Sequence, residues 1–409
     1  GLTVTDSGEF CALLVEHGID AISVSGSTYE TNRVAGGPWD PLGAFVDDAA
    51  AIKQAIAAAV PVAVANRIKT PEFADAVIAS GQADLVATGR ALICDADFYR
   101  KAKEGRRDQI RICLTCNHCL SELMGGNPVS CLYNPLTGHE LDYDLSRPAG
   151  KPKEVVVVGG GLAGMEAACT AAARGHHVRL YEATGELGGN VLPGIRPPFK
   201  SELGACLDYE RNMLAATGVE VFVGHPVDAG FLAGCGADRI IVATGSDPVR
   251  PGIPGIDSPT VVTAEDVLLD RTDAGQHVAV IGAGSVGVET AELLACRGRQ
   301  VTVIELADDM LADLAPTLRA PLEARIRQTA TRFEFGRRVL EIRAGEVVTD
   351  RGVLGPFDTV VIAVGYRPDT ALGEALSAAG IDFTLVGDAV KPRKIRDAVV
   401  EGFQAGYAV

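Results

Sequence analysis

The stretch Cys113-Leu-Thr-Cys116-Asn-His-Cys119 carries three cysteines, each separated from the next by two residues, and Cys131 follows them. Thiolates at such spacing can converge on one inorganic core, and iron–sulfur clusters use cysteine runs of this kind. A structural zinc site or unligated thiols are the alternatives, but zinc ribbons usually bring together two separate CxxC pairs. A third cysteine beside the first pair fits a cubane better. The sequence therefore predicts a 4Fe-4S cluster on Cys113, Cys116, Cys119 and Cys131.

Composition excludes several classes of partner. The 409 residues include 53 acidic and 37 basic side chains, a net charge of −16, so neither nucleic acid nor an anionic membrane is expected as a partner. No apolar run approaches the length of a membrane span. A reducing, cytoplasmic location suits the cluster and the isolated remaining cysteines. Those cysteines are Cys11, Cys94, Cys169, Cys206, Cys235 and Cys296.

Residues 1–110 alternate between helical and strand patterns. Helices are predicted over 6–18, 45–59 and 71–80, and short apolar strands over 19–24, 60–65 and 84–88. This alternation predicts a parallel α/β structure. Arg67 follows the second strand, and Gly89 and Arg90 follow the third. In (β/α)₈ barrels the loops after the last two strands commonly hold a phosphate, although surface arginines at ordinary turns are the alternative interpretation.

An internal repeat follows the Pro- and Gly-containing linker at 132–153. Each copy reads as a strand, a glycine-rich turn, a helix and a second strand that ends in glutamate. The glycines are Gly159, Gly161 and Gly164 in the first copy, and Gly282, Gly284 and Gly287 in the second. Glu182 follows Gly159 by 23 positions, and Glu305 follows Gly282 by the same 23. One such motif is a weak signal, but two complete copies between strand and helix predict two dinucleotide sites.

The residue types explain that prediction. The glycines permit a tight turn and let a pyrophosphate approach a helix N-terminus, while the glutamate accepts hydrogen bonds from an adenosine ribose.

The first 117 residues resemble part of a known flavoenzyme. Residues 25–30, 66–68 and 83–95 look like the closing third of an Old Yellow Enzyme-type FMN barrel. With 110–117 added, they resemble the group that contains 2,4-dienoyl-CoA reductase, 2-enoate reductase and trimethylamine dehydrogenase. The resemblance implies that Arg67, Gly89 and Arg90 bind the FMN phosphate. It also places Tyr29 near the flavin, either as a proton donor or as a packed strand-end residue.

A second resemblance distinguishes the two repeat copies. Residues 187–189, 243–245 and 385–388 are similar to the FAD domain of thioredoxin-reductase-like flavoproteins. This implies that FAD binds the first copy, with Glu182, Gly189, Thr244, Gly387 and Asp388, the last beside the ribityl chain. NADH then binds the second copy through Gly282, Gly284, Gly287 and Glu305. A degenerate ADP-binding relic, as in trimethylamine dehydrogenase, is the alternative for one copy.

Together these features predict an α/β chain of four parts. They are the C-terminal part of a TIM barrel (1–110), an iron–sulfur segment and linker (111–153), a Rossmann-like FAD domain (154–262 plus 366–409) and a Rossmann-like NAD(P)H domain (263–365). A whole (β/α)₈ barrel needs about 250 residues, so we expect only its last three strands here. FMN binding by that piece is expected to be weak, and it should be the least stable part. We expect the 409-residue chain to reduce dyes with NADH but not to reduce an enoate.

The resemblance implies an NADH-dependent flavin oxidoreductase that passes electrons from NADH through FAD and the cluster to FMN, and so reduces an enoate or enoyl-CoA. Two residues separate Cys116 from Cys119, as in amine-oxidising members, so oxidation of a small N-methyl amine is an alternative. An electron-transfer module without a substrate site is another. The partner is otherwise a small molecule, and an oligomer is compatible with the sequence. Glu305 favours NADH over NADPH because it would repel a 2′-phosphate, and Arg297 and Arg299 would soften that preference.

Overall fold

A computed structural model describes residues 2–26 and 36–409 of the chain. The chain folds as two compact units, Gly1–Tyr143 and Asp144–Val409. Among the described residues, no helix combines the length and the apolar composition needed to cross a bilayer.

The first unit is built on a three-stranded parallel sheet in the order β1-β2-β3. Its strands are β1 (Ile22–Val24), β2 (Val62–Val64) and β3 (Leu85–Val86), and its helices are α1 (Val4–Glu16), α2 (Val46–Ala55), α3 (Pro71–Ala79), α4 (Gly89–Cys94), α5 (Phe98–Lys103) and α6 (His118–Met124). The prediction of parallel α/β structure is confirmed. The strands are shorter than the apolar runs that predicted them.

Local sequence sets the starts of these helices. The Thr3 hydroxyl accepts the Asp6 N–H, and the Asp6 carboxylate accepts the Thr3 N–H in return, forming a capping box at the start of α1. Thr70 caps α3, whose first residue is Pro71. The apolar faces of α2 and α3 pack on β1 and β2, whose inward residues include the fully buried Val62 and Val64. The sheet therefore holds the loops after β2 and β3 on one edge.

The second unit contains two five-stranded parallel sheets, each the core of one repeat copy. Its strands are β4 (Glu154–Val158), β5 (His177–Tyr181), β6 (Glu220–Phe222), β7 (Arg239–Val242), β8 (Ser246–Pro248), β9 (Val261–Thr263), β10 (His277–Ile281), β11 (Gln300–Ile304), β12 (Arg332–Glu334), β13 (Val339–Arg343), β14 (Glu346–Thr349), β15 (Gly352–Leu354), β16 (Thr359–Ile362), β17 (Tyr366–Pro368) and β18 (Thr384–Leu385). The first sheet has the order β18-β7-β4-β5-β6, and the second has the order β12-β11-β10-β16-β9.

Helices cover these sheets. They are α7 (Leu162–Ala173), α8 (Val191–Gly194), α9 (Gly204–Thr217), α10 (Ala229–Gly234), α11 (Ala264–Leu268), α12 (Ser285–Cys296), α13 (Pro316–Ile326), α14 (Ala371–Ala378) and α15 (Ile395–Ala408). The C-terminal helix α15 lies close against α7, because Gly402 and Gly406 have no side chain. A Cβ on Gly402 would lie 2.2 Å from the Ala163 carbonyl oxygen, and one on Gly406 would lie 2.4 Å from that of Ala167.

The chain crosses between the two sheets on an antiparallel pair, β8 with β17. After β8 it enters the second sheet at β9, which pairs with β16. The predicted domain boundary after residue 262 therefore falls inside β9. A three-stranded antiparallel sheet of β13, β14 and β15, between β12 and β16, did not appear in the predicted organisation.

Candidate functional site

The two glycine-rich turns of the second unit have almost the same backbone. Gly159 follows β4 with φ +108°, and Gly282 follows β10 with φ +107°, a conformation that side chains rarely adopt. A Cβ at Gly159 would lie 2.1 Å from the Ala243 carbonyl oxygen, and one at Gly282 would lie 2.4 Å from that of Ala363. The first position of each motif therefore requires glycine, because a side chain there would collide with the backbone at the end of the neighbouring strand.

The later glycines of the motif have different tasks. A Cβ at Gly164 would lie 1.9 Å from the Gly159 carbonyl oxygen, and one at Gly287 would lie 2.0 Å from that of Gly282, so these two let a helix pack against its own turn. A Cβ at the middle glycine, Gly161, meets nothing within 4 Å among the described residues. The middle position is where the backbone has room for a ligand.

Each strand-end glutamate holds its glycine turn through backbone hydrogen bonds. Glu182 Oε2 accepts the Gly160 N–H at 2.7 Å, and Glu305 Oε2 accepts the Ala283 N–H at 2.5 Å. The second oxygen of Glu305 accepts the Ala307 N–H at 2.9 Å. Each carboxylate therefore lies beside its glycine turn, where the predicted ribose contact would be.

The arginines expected to soften the nucleotide preference are engaged by aspartates. Arg297 Nη1 lies 2.7 Å from Asp270, and Arg299 Nη2 lies 3.2 Å from Asp273.

The other residues predicted to bind FAD surround the first glycine turn or lie at nearby strand ends. Gly189, with φ +52°, would place a Cβ 3.2 Å from the Cα of Gly161. The Thr244 hydroxyl donates to the Asp369 carbonyl at 2.9 Å. Asp388 Oδ2 accepts the Ser246 hydroxyl at 3.3 Å, and the Gly387 N–H donates to Glu401 at 2.8 Å.

The first unit contains a cavity of about 310 Å³ at the ends of β2 and β3. All three residues predicted to bind the FMN phosphate, Arg67, Gly89 and Arg90, line it. Asn66 and Arg67 have φ of +88° and +53°, and residues held in this region often mark functional loops. Lys69, which the sequence analysis missed, lines the same cavity and is 7% exposed. Apart from its place two residues after Arg67, nothing in the local sequence distinguishes it from a surface lysine.

Arg90 connects this cavity to the cysteine segment. Its Nη1 donates to the Gly36 carbonyl at 2.8 Å and to the Asn117 side-chain oxygen at 2.5 Å. Asn117 lies between two of the predicted cluster ligands and has φ +57°. Cys113 also lines the phosphate-side cavity. The two predicted cofactor sites of the first unit are therefore neighbours.

All four predicted cluster ligands line one small cavity, together with Arg90 and Cys94. Backbone N–H groups point at the sulfurs. The Thr115 N–H donates to Cys113 Sγ at 3.4 Å, the His118 N–H to Cys116, and the Tyr133 and Asn134 N–H groups to Cys131. Donors of this kind stabilise thiolate ligands and tune iron–sulfur clusters.

The thiols differ in their tendency to ionise in the absence of any ligand. Burial raises the pKa of Cys116 to about 12 and also raises the pKa of Cys113 and Cys119. A hydrogen bond from the Cys94 thiol lowers the pKa of Cys131 to about 6. A positively charged group that bound all four sulfurs would therefore have to displace the protons of Cys113, Cys116 and Cys119.

A buried polar network holds the start of the cysteine segment in place. Asp95 accepts the Arg111 N–H at 2.9 Å and pairs with Lys101 at 2.7 Å. The Arg111 guanidinium donates to the Tyr133 carbonyl, and the Tyr133 hydroxyl donates to the Ile112 carbonyl at 2.5 Å. These contacts join the segment before Cys113 to the one after Cys131.

Within 2–26 and 36–409, no three His, Cys, Asp or Glu side chains lie close enough to hold a single metal ion. Tyr29, the residue predicted near the flavin, lies outside the described residues.

Two protein families match this chain. Residues 2–109 match the NADH:flavin oxidoreductase / NADH oxidase family. Residues 69–229 and 153–384 match the family described as pyridine nucleotide-disulphide oxidoreductase.

Similar proteins are enzymes of redox chemistry. The chain is 37% identical to the NADH oxidase of Thermoanaerobacter brockii, over 100% of this chain and 64% of that protein. It is 33% identical to the cinnamate reductase of Clostridium sporogenes, over 99% of this chain and 61% of that protein. The solved structure of a 2-naphthoyl-CoA reductase matches with a TM-score of 0.92 and 28% identity, over 100% of this chain and 63% of that one. The chain thus spans less than two thirds of the length of each of these proteins.

Proposed function

Since this chain belongs to the 2-enoate reductase and trimethylamine dehydrogenase group of flavin oxidoreductases, we propose that it functions in the NADH-dependent reduction of activated C=C bonds. One observation carries the substrate class: relatives that match nearly the whole chain include a cinnamate reductase and a 2-naphthoyl-CoA reductase. Both names denote reduction of a conjugated acid or thioester. The proposed substrate is therefore an enoate or an enoyl-CoA.

The proposed cofactors follow the sites described above. FAD is assigned to the first glycine turn with Glu182, Gly189, Thr244, Gly387 and Asp388, and NADH to the second with Glu305. FMN phosphate is assigned to Arg67, Gly89 and Arg90, with Lys69 added. When bound, these groups would carry electrons from NADH through FAD and an iron–sulfur cluster to FMN. The chain's own residues would bind, orient and electrostatically tune them.

The spacing of the four cysteines supports a cluster over a single zinc ion, because Cys119 directly follows the Cys113–Cys116 pair, whereas zinc ribbons usually bring together two separate pairs. The four thiols also share one cavity. Backbone donors to three of the sulfurs add to this support. We assign the 4Fe-4S cluster to Cys113, Cys116, Cys119 and Cys131.

One observation favours a second function. The two-residue spacing between Cys116 and Cys119 is the spacing that the sequence shares with amine-oxidising members of the group. Oxidation of a small N-methyl amine, with electrons flowing in the opposite direction, is therefore the second candidate.

Elemental analysis of anaerobically purified protein tests the cluster. We predict about four irons and matching acid-labile sulfide per chain. Cys119→Ala should lose both and still bind FAD, because the two sites share no residue. Cys235→Ala is the matched control. It changes a cysteine of the second unit, outside the segment that carries the predicted cluster ligands, and should keep the iron. Zinc without sulfide in the unmodified chain would refute the assignment.

Activity tests the electron path. NADH should reduce the bound FAD, and ferricyanide should then be reduced with turnover. In a protein that joins this chain to a whole (β/α)₈ barrel, consumption of an enoate with NADH would support the first candidate, and consumption of an N-methyl amine with an artificial electron acceptor would support the second. A chain that binds no flavin and does not oxidise NADH would refute both.

A further inference from the structure

A carboxylate stands at the start of the helix that follows the second glycine turn. The Ser285 N–H, the first of α12, donates to Asp313 Oδ1 at 2.9 Å, and the Ser285 hydroxyl donates to Asp313 Oδ2 at 2.6 Å. A Cβ built on the middle glycine, Gly284, would lie 3.8 Å from Asp313 Oδ1. Asp313 thus lies where a dinucleotide fingerprint places its pyrophosphate.

The same carboxylate has a cationic partner from the other nucleotide fold. Lys394 Nζ lies 3.2 Å from Asp313 Oδ2. Lys394 immediately precedes α15, which packs on α7 of the first copy, whereas Asp313 lies between β11 and α13 of the second. The ion pair therefore joins the two nucleotide folds at the glycine turn. Both side chains are partly exposed, at 58% and 40%, so each can exchange partners.

The charge of Asp313 determines whether it would compete with the pyrophosphate of a nucleotide. Burial by itself raises the pKa of Asp313, but the Ser285 hydroxyl and the charge of Lys394 together lower it. The carboxylate is therefore ionised at neutral pH. A pyrophosphate and a carboxylate cannot share the same N–H donors, because the two anions repel at contact distance.

We propose that Asp313 occupies the pyrophosphate position of the second copy, and that a dinucleotide displaces it. The pyrophosphate then pairs with Lys394 in place of the Asp313 carboxylate. The inference rests on the proposed function, because it requires that NADH binds the second copy. Lys394 is then a nucleotide-binding residue contributed by the FAD fold. Nucleotide binding and release of the Asp313–Lys394 ion pair become one event.

The rival explanation is that Asp313 only caps α12. A negative side chain beside a helix N-terminus stabilises the helix, typically by about 0.3–1 kcal/mol. Asparagine keeps that capping ability and removes only the charge. Asp313→Asn therefore separates the two explanations, and Lys394→Gln tests the transfer of the cation.

Binding of NAD⁺, which cannot reduce the bound flavin, and of ADP-ribose, measured by calorimetry on the full flavin-loaded chain, tests the proposal. Asp313→Asn should bind both about tenfold more tightly, since a competing anion is gone. Lys394→Gln should bind both about tenfold more weakly, in the wild-type and in the Asp313→Asn background alike. Adenosine, which has no pyrophosphate, should bind all variants equally. Asp309→Asn, in the same loop and paired with Arg319, is the matched control and should change nothing.

Each other outcome has a defined meaning. Unchanged or weaker ADP-ribose binding by Asp313→Asn would make Asp313 a helix cap and overturn the proposal. Tighter binding by Lys394→Gln would mean that Lys394 only holds Asp313 in place, which overturns the transfer. Failure of the unmodified chain and every variant to bind NAD⁺ or ADP-ribose would instead refute the proposed function. Asp313→Ala repeats the test should the asparagine variant fold poorly.

Discussion

The two glycine turns of the second unit have nearly the same backbone conformation, but they differ in the side chain that lies at the start of the following helix. Their first glycines have φ of +108° and +107°, and in each copy a strand-end glutamate accepts a backbone N–H of the turn. The space beside Gly161 is open among the described residues, whereas Asp313 lies beside Gly284. The motif residues thus build the turn, and residues outside the motif decide how the turn meets a ligand.

The largest expected effect comes from the third glycine of each motif. Gly164→Ala and Gly287→Ala would place a Cβ 1.9 and 2.0 Å from a carbonyl oxygen, so the helix must move away from its turn. We expect each to cost about 3 kcal/mol of unfolding free energy, and Gly164→Ala to lose FAD. Gly161→Ala has room for its methyl group and should change stability by less than about 0.5 kcal/mol.

Urea unfolding followed by circular dichroism measures this difference, and retained flavin absorbance reports the FAD site. Equal midpoints for Gly164→Ala and Gly161→Ala would show that the close contact of helix and turn is not what the third glycine provides.

The next effect concerns the glutamates, which are alike in structure but are assigned different nucleotides. Glu305→Gln removes the negative charge that a 2′-phosphate would meet, so we expect the preference for NADH over NADPH to fall about tenfold. The nearby arginines pair with Asp270 and Asp273 and so do little to weaken that preference in the unmodified chain. The measurement is stopped-flow reduction of FAD by each nucleotide.

Glu182→Gln is the matched control, since it makes the same change in the other copy. It should weaken FAD retention and leave the ratio of NADH to NADPH rates unchanged. A shift of that ratio by Glu182→Gln, and none by Glu305→Gln, would reverse the assignment of the two copies.

The features that could be predicted from the sequence are those that depend on the spacing of nearby residues. The family resemblance is confirmed, and so are the alternating helices and strands of the first unit. Gly159 and Gly282 were identifiable because a positive φ next to a strand end nearly requires glycine. The four cysteines share one cavity because their short spacing leaves the chain few other arrangements.

Contacts between distant residues were out of reach of the same reasoning. Asp313 and Lys394 are 81 positions apart, and no local pattern marks either. Lys69 looks like an ordinary surface lysine until β2 and β3 bring its loop to the cavity. β9 was divided between two domains because its pairing with β16 depends on a strand almost a hundred residues later. Tertiary pairing, unlike turn geometry, leaves no fixed spacing in the sequence.

The smallest expected effect is an acid dependence that Asp313 gives to the second copy. The pKa of Asp313 is lower in the folded chain than its ordinary value, so the ionised carboxylate stabilises the fold above about pH 4. That contribution is lost as the pH falls through the folded pKa, because protonation removes the bonds to Ser285 and Lys394. The side chain is 40% exposed and solvent screens it, so the loss should be less than about 1 kcal/mol.

Urea unfolding between pH 6 and pH 3 should therefore show a slightly flatter pH dependence for Asp313→Asn than for the unmodified chain. Asp257→Asn, at a side chain that is 92% exposed, is the control and should not flatten the curve. Identical curves for all three proteins would mean that the Asp313 contacts contribute nothing to folding, so that displacing the carboxylate would cost a nucleotide only the local repulsion.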